Sequence, residues 1–193
     1  MPHNTLHGSG KSSFDLVDHE RVFRELGLTR GKIFLDLGCG WGDYTIVAAE
    51  KLGSEGMAYG VDGWSEGIEM LTKKALDEGL INVKGIIADV TSHIPLPDNS
   101  VDISFMATVL HDFARDGGEK QALMETARVM RQGGTLSIVE FKKIDGSPGP
   151  PIDIKLAADD VENMITPFGF QVIKTLDVGP YTYLIVAVKN NQT

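Results

Sequence analysis

The sequence predicts a doubly wound α/β fold, and three observations carry that prediction. Short apolar runs of strand length alternate with stretches whose apolar residues recur at helical spacing, the pattern of a mostly parallel sheet covered by helices on both faces. Three successive runs end in an acid, Asp36, Asp62 and Asp89, and the first breaks at once into glycines. Two closely spaced runs, 170–176 and 181–188, follow the last helical stretch and read as an antiparallel hairpin that closes the sheet. The length of 193 residues predicts a single domain, with an arm and helix over 1–29 and the core over 30–193.

In chain order, residues 1–17 are polar and turn-rich, and include His3, His7 and the string GSGKSS from Gly8 to Ser13. A phosphate loop of the form G-x-x-x-x-G-K-S needs glycine where Thr5 stands and a strand before it, so a flexible arm is expected instead. Asp18 is placed to cap a short helix bearing Val22, Phe23 and Leu26, with Gly27 as its stop. The stretch IFLDLGCGWGDY, Ile33 to Tyr44, then reads as a buried strand, a tight loop and a helix start. Gly38, Gly40 and Gly42 remove three Cβ atoms, which permits positive φ and lets backbone lie against a ligand. The following helix, from about Asp43 to a stop at Gly53, carries Tyr44, Val47, Ala48 and Leu52 on one side.

The second strand, 57–61, ends in Asp62, Gly63 and Trp64. Asp62 follows Asp36 by 26 residues, the spacing at which a βαβ unit returns to the same sheet edge, where a carboxylate accepts two hydrogen bonds from a ribose diol. Ser65 is expected to cap the next helix, with Ile68, Leu71, Thr72 and Ala75 as its buried stripe. Trp64 is either a stacking partner for an adenine or a core or lid residue. A third strand over 83–88 ends in Asp89, the turn IPLPDNSVD leads into a fourth strand over 101–107, and the loop TVLHDF, 108–113, follows it. A helix over 119–130, a glycine turn at Gly133 and Gly134, and a fifth strand over 135–141 come next. A loop rich in Pro and Gly then leads to a helix bearing Val161, Met164, Ile165 and Phe168.

Composition narrows the function. A net charge of -9 argues against a nucleic-acid substrate, because phosphate binding relies on Lys and Arg displacing counterions. Cys39 is the only cysteine, which excludes a disulfide within the chain and a multi-cysteine metal site, and no metal is expected. The polar N-terminus has no apolar signal core and no run has membrane-spanning length, so a cytoplasmic protein without stable membrane insertion is expected.

The glycine loop separates three kinds of reader. A dinucleotide fingerprint places its third glycine one residue later, where Asp43 stands, and a P-loop needs a Lys followed by Ser or Thr that Trp41 to Tyr44 lack. The remaining pattern, acid-x-G-x-G-x-G from Asp36 to Gly42, resembles the cofactor loop of class I S-adenosylmethionine-dependent methyltransferases. The string PLPDNSVD, 95–102, is similar to the small-molecule and quinone-type members. The resemblance covers about residues 30–190. It implies a Rossmann-like sheet of seven strands in the order 3-2-1-4-5-7-6 with an antiparallel last strand, and S-adenosyl-L-methionine as cofactor.

It also implies cofactor-binding roles for Asp36, Gly38, Cys39, Gly40 and Gly42 in the loop, and for Asp62, Gly63 and Trp64 after the second strand. Asp89 would face the adenine amino group with the Val90 N–H on a ring nitrogen, and the Ala107 carbonyl would face the amino-acid tail. In such an enzyme a nucleophile on the acceptor attacks the sulfonium methyl in line, so the protein supplies alignment and water exclusion, with the arm 1–17 and the loop 142–152 expected to close over the site. His111, in the loop after the fourth strand, is nominated to orient or deprotonate a small-molecule acceptor, with Asp112 as its alternative. Other readings stay open: a protein acceptor, a noncatalytic cofactor-binding subunit, an NAD(P)-dependent oxidoreductase, and a homodimer.

Overall fold

The computed structural model describes residues 12–190. Seven strands form one sheet in the order β3-β2-β1-β4-β5-β7-β6. They are β1 (Ile33–Leu37), β2 (Met57–Asp62), β3 (Val83–Ile87), β4 (Val101–Ala107), β5 (Met130–Phe141), β6 (Phe170–Asp177) and β7 (Thr182–Lys189). The first five run parallel, whereas β7 pairs antiparallel with both β5 and β6. The order expected from the resemblance is therefore the observed one. It reverses between β1 and β4, the point at which open α/β sheets leave a crevice beyond the strand ends.

The central strands form because their runs are mainly apolar on both sides of the pleat, whereas the edge strands β3 and β6 are largely exposed or half-buried. Phe34 packs with Val22, Phe23, Tyr44 and Ala48 on one face, while Leu35 and Leu37 pack with Leu123, Val161 and Ile165 on the other. The first face is covered by α1 (His19–Glu25) and α2 (Asp43–Leu52), with α3 (Ser65–Asp77) packed beside α2 through Ile46, Ile68 and Leu71. The second is covered by α4 (Leu110–Arg115), α5 (Glu119–Val129) and α6 (Ala158–Ile165). Asp18 caps α1 as expected, its carboxylate accepting the Arg21 N–H at 3.0 Å.

Several local expectations need correction. His111 lies in α4 and not in a loop; the helix is six residues long, too short for its period to show. Ser65 is the first residue of α3 and not its cap, and its hydroxyl donates to Glu66. Thr72 is exposed, turned back onto the Ile68 carbonyl at 2.8 Å, so Ile68, Leu71 and Ala75 alone make the buried stripe. Helix α2 also buries Thr45, Ile46 and Ala49, more of its circumference than one face, whereas Val47 is only half-buried. Strand β5 begins at Met130, opposite Val101, with an irregular register before Thr135.

Only 12–17 of the expected arm fall within the described residues, and they pack. Phe14–Leu16 form a 3-10 turn, Phe14 lies edge-on to Tyr44 with ring centroids 5.0 Å apart, and the buried Ser13 hydroxyl is 3.2 Å from the Tyr44 hydroxyl. His3, His7 and most of GSGKSS lie outside the described residues. The PLPDNS turn is fastened by Arg128, which donates to the Ile94 and Leu96 carbonyls and to Asp98 while pairing with Glu125. This network sets the entry into β4.

Candidate cofactor cleft and catalytic edge

The glycine loop between β1 and α2 forms one wall of a cleft at the carboxyl end of the sheet. Asp36, Gly38, Cys39, Gly40 and Ala107, all expected in the site, line it together with Ser12, Ser13, Trp41, Asp43 and Tyr44. Gly40 takes φ +52, and a Cβ there would meet no atom within 4 Å, so this backbone is open to a ligand. Gly38 is different: a Cβ would lie 2.7 Å from the Val109 side chain, so its absence lets the loop pack against the entry to α4.

The expected acids play separate roles. Asp62 ties the loop down, one oxygen accepting the Gly40 N–H and the other the Trp64 N–H, both at 2.9 Å. Each oxygen keeps further lone-pair capacity for a ligand. Asp36 is 1% exposed and accepts the Thr45 hydroxyl at 2.6 Å. Burial pushes its carboxyl up to about 7, against the Thr45 hydrogen bond and with the help of Asp62 and Asp43. Burial, with Asp36 beside it, also pushes the Cys39 thiol up, so Cys39 is a neutral loop residue.

Trp64 stands edge-on to Trp41, centroids 4.4 Å apart. Sequence reading passed over Trp41, although its place among the glycines was a signal. Asp89 is exposed and accepts the Thr91 N–H and hydroxyl, at 2.8 and 2.6 Å, while the Val90 side chain is buried in the core. Neither is among the residues lining the cleft wall, but the Ala88 N–H donates to the Asp62 carbonyl and joins their strand end to that of β2.

His111 is 4% exposed and lies in α4, on the other face of the sheet from Asp36. Its backbone N–H donates to Glu140 Oε1 at 3.1 Å and its Nδ1 is 2.8 Å from Glu140 Oε2. This fixes the ring with Nδ1 toward Glu140 and Nε2 toward Asp112, whose Oδ2 is 3.7 Å away. Burial pulls the imidazole pKa down, but Glu140 and then Asp112 more than offset it, so the net direction is up. Asp112 is raised by burial, against the pull of His111 and of Arg115, whose Nη1 is 2.8 Å from it. Glu140 is wholly buried in β5 and was not expected, because an acid at a strand end 29 residues from its partner carries no periodic signal.

Thr108, the first residue after β4, is a further surprise. It takes φ +54, a conformation that β-branched residues rarely adopt, while its N–H donates to the Val139 carbonyl at 2.8 Å. A larger concavity of about 620 Å³ lies between α5 and α6, lined by Leu123, Leu156, Met164 and Phe168 and sharing no lining residue with the cleft.

The cleft suits a cationic amino-acid nucleoside: bare backbone at Gly40, acids at Asp36 and Asp43 and an indole at Trp41 line it, with Asp62 joined to this wall through the Gly40 N–H and Trp64 through the Trp41 ring. The comparisons with known proteins agree. Residues 28–167 match the family model described as a methyltransferase domain. A demethylmenaquinone methyltransferase of Geobacillus stearothermophilus is 34% identical over 122 residues, 62% of this chain and 49% of the relative. A ubiquinone/menaquinone biosynthesis C-methyltransferase of Azotobacter vinelandii is 31% identical over 118 residues, 61% of this chain and 45% of the relative. The chain thus spans about half the length of these curated relatives. A crystal structure of an S-adenosylmethionine-dependent methyltransferase from Aquifex aeolicus superposes with a TM-score of 0.83 at 31% identity, covering 92% of this chain and 93% of that one. The chain belongs to the methyltransferase-domain family, the class I S-adenosylmethionine-dependent methyltransferases.

Proposed function

We propose that the protein methylates a small-molecule acceptor of the quinol kind, one that must lose a proton as it is methylated. The observation that carries this reading is the buried Glu140–His111 pair with Asp112 beside it, immediately after the strand whose end lines the cleft. The names of the quinone-biosynthesis relatives support the acceptor class. The cofactor supplies an already activated methyl group on a sulfonium, so the chain's residues need only bind, align and handle one proton.

In this reading the loop from Gly38 to Gly42, held by Asp62, positions the cofactor. Glu140 holds the His111 ring with Nε2 toward Asp112, and the pair takes the acceptor's proton, with Asp112 as the more exposed member. Both the Asp112 carboxyl, raised by burial, and the His111 imidazole, raised by Glu140 and Asp112 against its burial, are more basic than their ordinary values, which favours proton uptake from the acceptor. The test is a methyl-transfer screen with labelled S-adenosylmethionine over quinols, phenols, amines and thiols. Transfer to quinols or phenols, with His111→Gln slowed by about 10² to 10⁴, supports the reading. Transfer only to amines or thiols would overturn it.

A further inference from the structure

Asp36 is buried, and among the described residues no cation pairs with it. Among the described residues no lysine, arginine or histidine is in hydrogen-bond contact with it, and its side-chain partner is a neutral hydroxyl, Thr45 at 2.6 Å. Among the described residues, the charged and titratable groups that face it are Asp43 and Tyr44 from α2, Asp62 from β2 and Cys39 from the loop, all acidic or neutral. Lys74 of α3 reaches this network only through Asp43, with which it pairs at 2.5 Å. The strand neighbours of Asp36 in the sheet are Gly60 and Phe105, which offer no charge. An ionised carboxylate in such a place lacks both water and a counter-ion, so the neutral acid is favoured. Yet Asp36 lines the cleft, where a ligand's ammonium could supply that counter-ion.

We propose that Asp36 is a proton switch for ligand binding: protonated in the empty cleft, it releases its proton to solvent when a ligand carrying an amino-acid ammonium occupies the cleft. Cofactor and demethylated product share that ammonium, so both drive the release. The proposal rests on the cofactor reading of the cleft. It gives the site a pH-dependent affinity that weakens as the medium acidifies, because acid stabilises the empty form. The sign follows from linkage: a carboxyl pushed up to about 7 when empty and lower when occupied makes binding tighter as pH rises and flat once the empty form is ionised.

The experiment is calorimetric titration of the whole chain with S-adenosylhomocysteine between pH 5.5 and 8.5, in buffers of differing ionisation enthalpy, which reads both affinity and protons released. The expected result is release approaching one proton below pH 7, with affinity rising up to about tenfold per pH unit there and levelling above it. Asp36→Asn should bind more weakly and release no proton. Should that variant fail to fold, Thr45→Val gives the second reading: loss of the one hydroxyl donor should move the midpoint to higher pH. Binding with no proton released, or Thr45→Val with an unmoved midpoint, would overturn the switch alone. Failure to bind at every pH would overturn the cofactor reading beneath it.

Discussion

His111 Nδ1 lies 2.8 Å from Glu140 Oε2, and the backbone N–H of the same histidine donates to the other oxygen of that carboxylate. Both oxygens of Glu140 thus meet His111, Oε2 also accepting the Phe141 N–H at 3.2 Å, at a site where neither the histidine nor the glutamate side chain is exposed. An acid buried in a strand is costly unless its hydrogen bonds are met, and here α4 is folded back onto β5 to meet them.

Glu140→Gln preserves the shape of this contact and removes its charge. The imidazole is held up by Glu140, so in the variant its pKa should fall and the alkaline-rising limb of turnover should move to lower pH. The stability sign is the opposite one. A histidine raised on folding stabilises fully below its unfolded value of about 6.5 and loses that contribution as pH rises through the folded value, so the variant should lose stability mainly at acid pH. Paired pH–rate and pH–melting curves check both, and unshifted curves would remove Glu140 from the account.

Asp62→Ala should cost most of the affinity for S-adenosylhomocysteine. The carboxylate holds the Gly40 and Trp64 N–H groups and is expected to hold the ribose, and a hydrogen bond to a charged group is worth roughly 1.5 to 3 kcal/mol. Because those two N–H groups lose their acceptor, the melt should fall as well. Asp62→Asn keeps one oxygen and should fall between. Equal dissociation constants in all three proteins would contradict the assignment.

Thr108→Gly should raise the thermal stability by about 1 kcal/mol, since glycine adopts φ +54 without the clash that threonine suffers. If the strain serves to aim the chain from β4 into α4, turnover should drop in the same variant. A melt at or below the parental value would show that threonine's contacts outweigh the strain.

The loop after β5 is pinned by Lys155, which is 2% exposed and donates to the Ile144 carbonyl at 2.9 Å and the Ser147 hydroxyl at 2.5 Å. Lys155→Met replaces a buried ammonium with an apolar chain of similar length, so global stability should change little while amides over 144–154 exchange faster. Added S-adenosylhomocysteine should slow that exchange in both proteins if the loop closes over the site. Exchange that ligand leaves untouched would remove the loop from that role.

The parts of the fold legible in the sequence were those with a repeated local signal. β1 and β4 are mainly apolar runs, interrupted by Asp36 in the first and by Asp102 and Ser104 in the second, and buried on both faces, and the glycine loop announced itself by spacing. The swap of β7 and β6 came only with the family resemblance, because pairing across a sheet leaves no mark on periodicity. Helix α4 was missed since six residues make less than two turns, and with it the setting of His111. Glu140, Thr108 and Trp41 were missed for a related reason: a buried acid, a positive φ and an indole pair are defined by distant partners, not by neighbours in sequence. Asp36 was placed in the site, but that its side chain meets the Thr45 hydroxyl and, among the described residues, no hydrogen-bonded cation needed three dimensions.

A crystal structure of the chain with S-adenosylhomocysteine tests the central claim most directly. The account predicts the ligand in the cleft beside Gly38 to Gly42, its ribose within hydrogen-bond distance of Asp62 and its ammonium on the Asp36 side of the loop. A ligand lodged instead in the apolar concavity between α5 and α6, or one whose ribose hydroxyls do not meet Asp62, would contradict it.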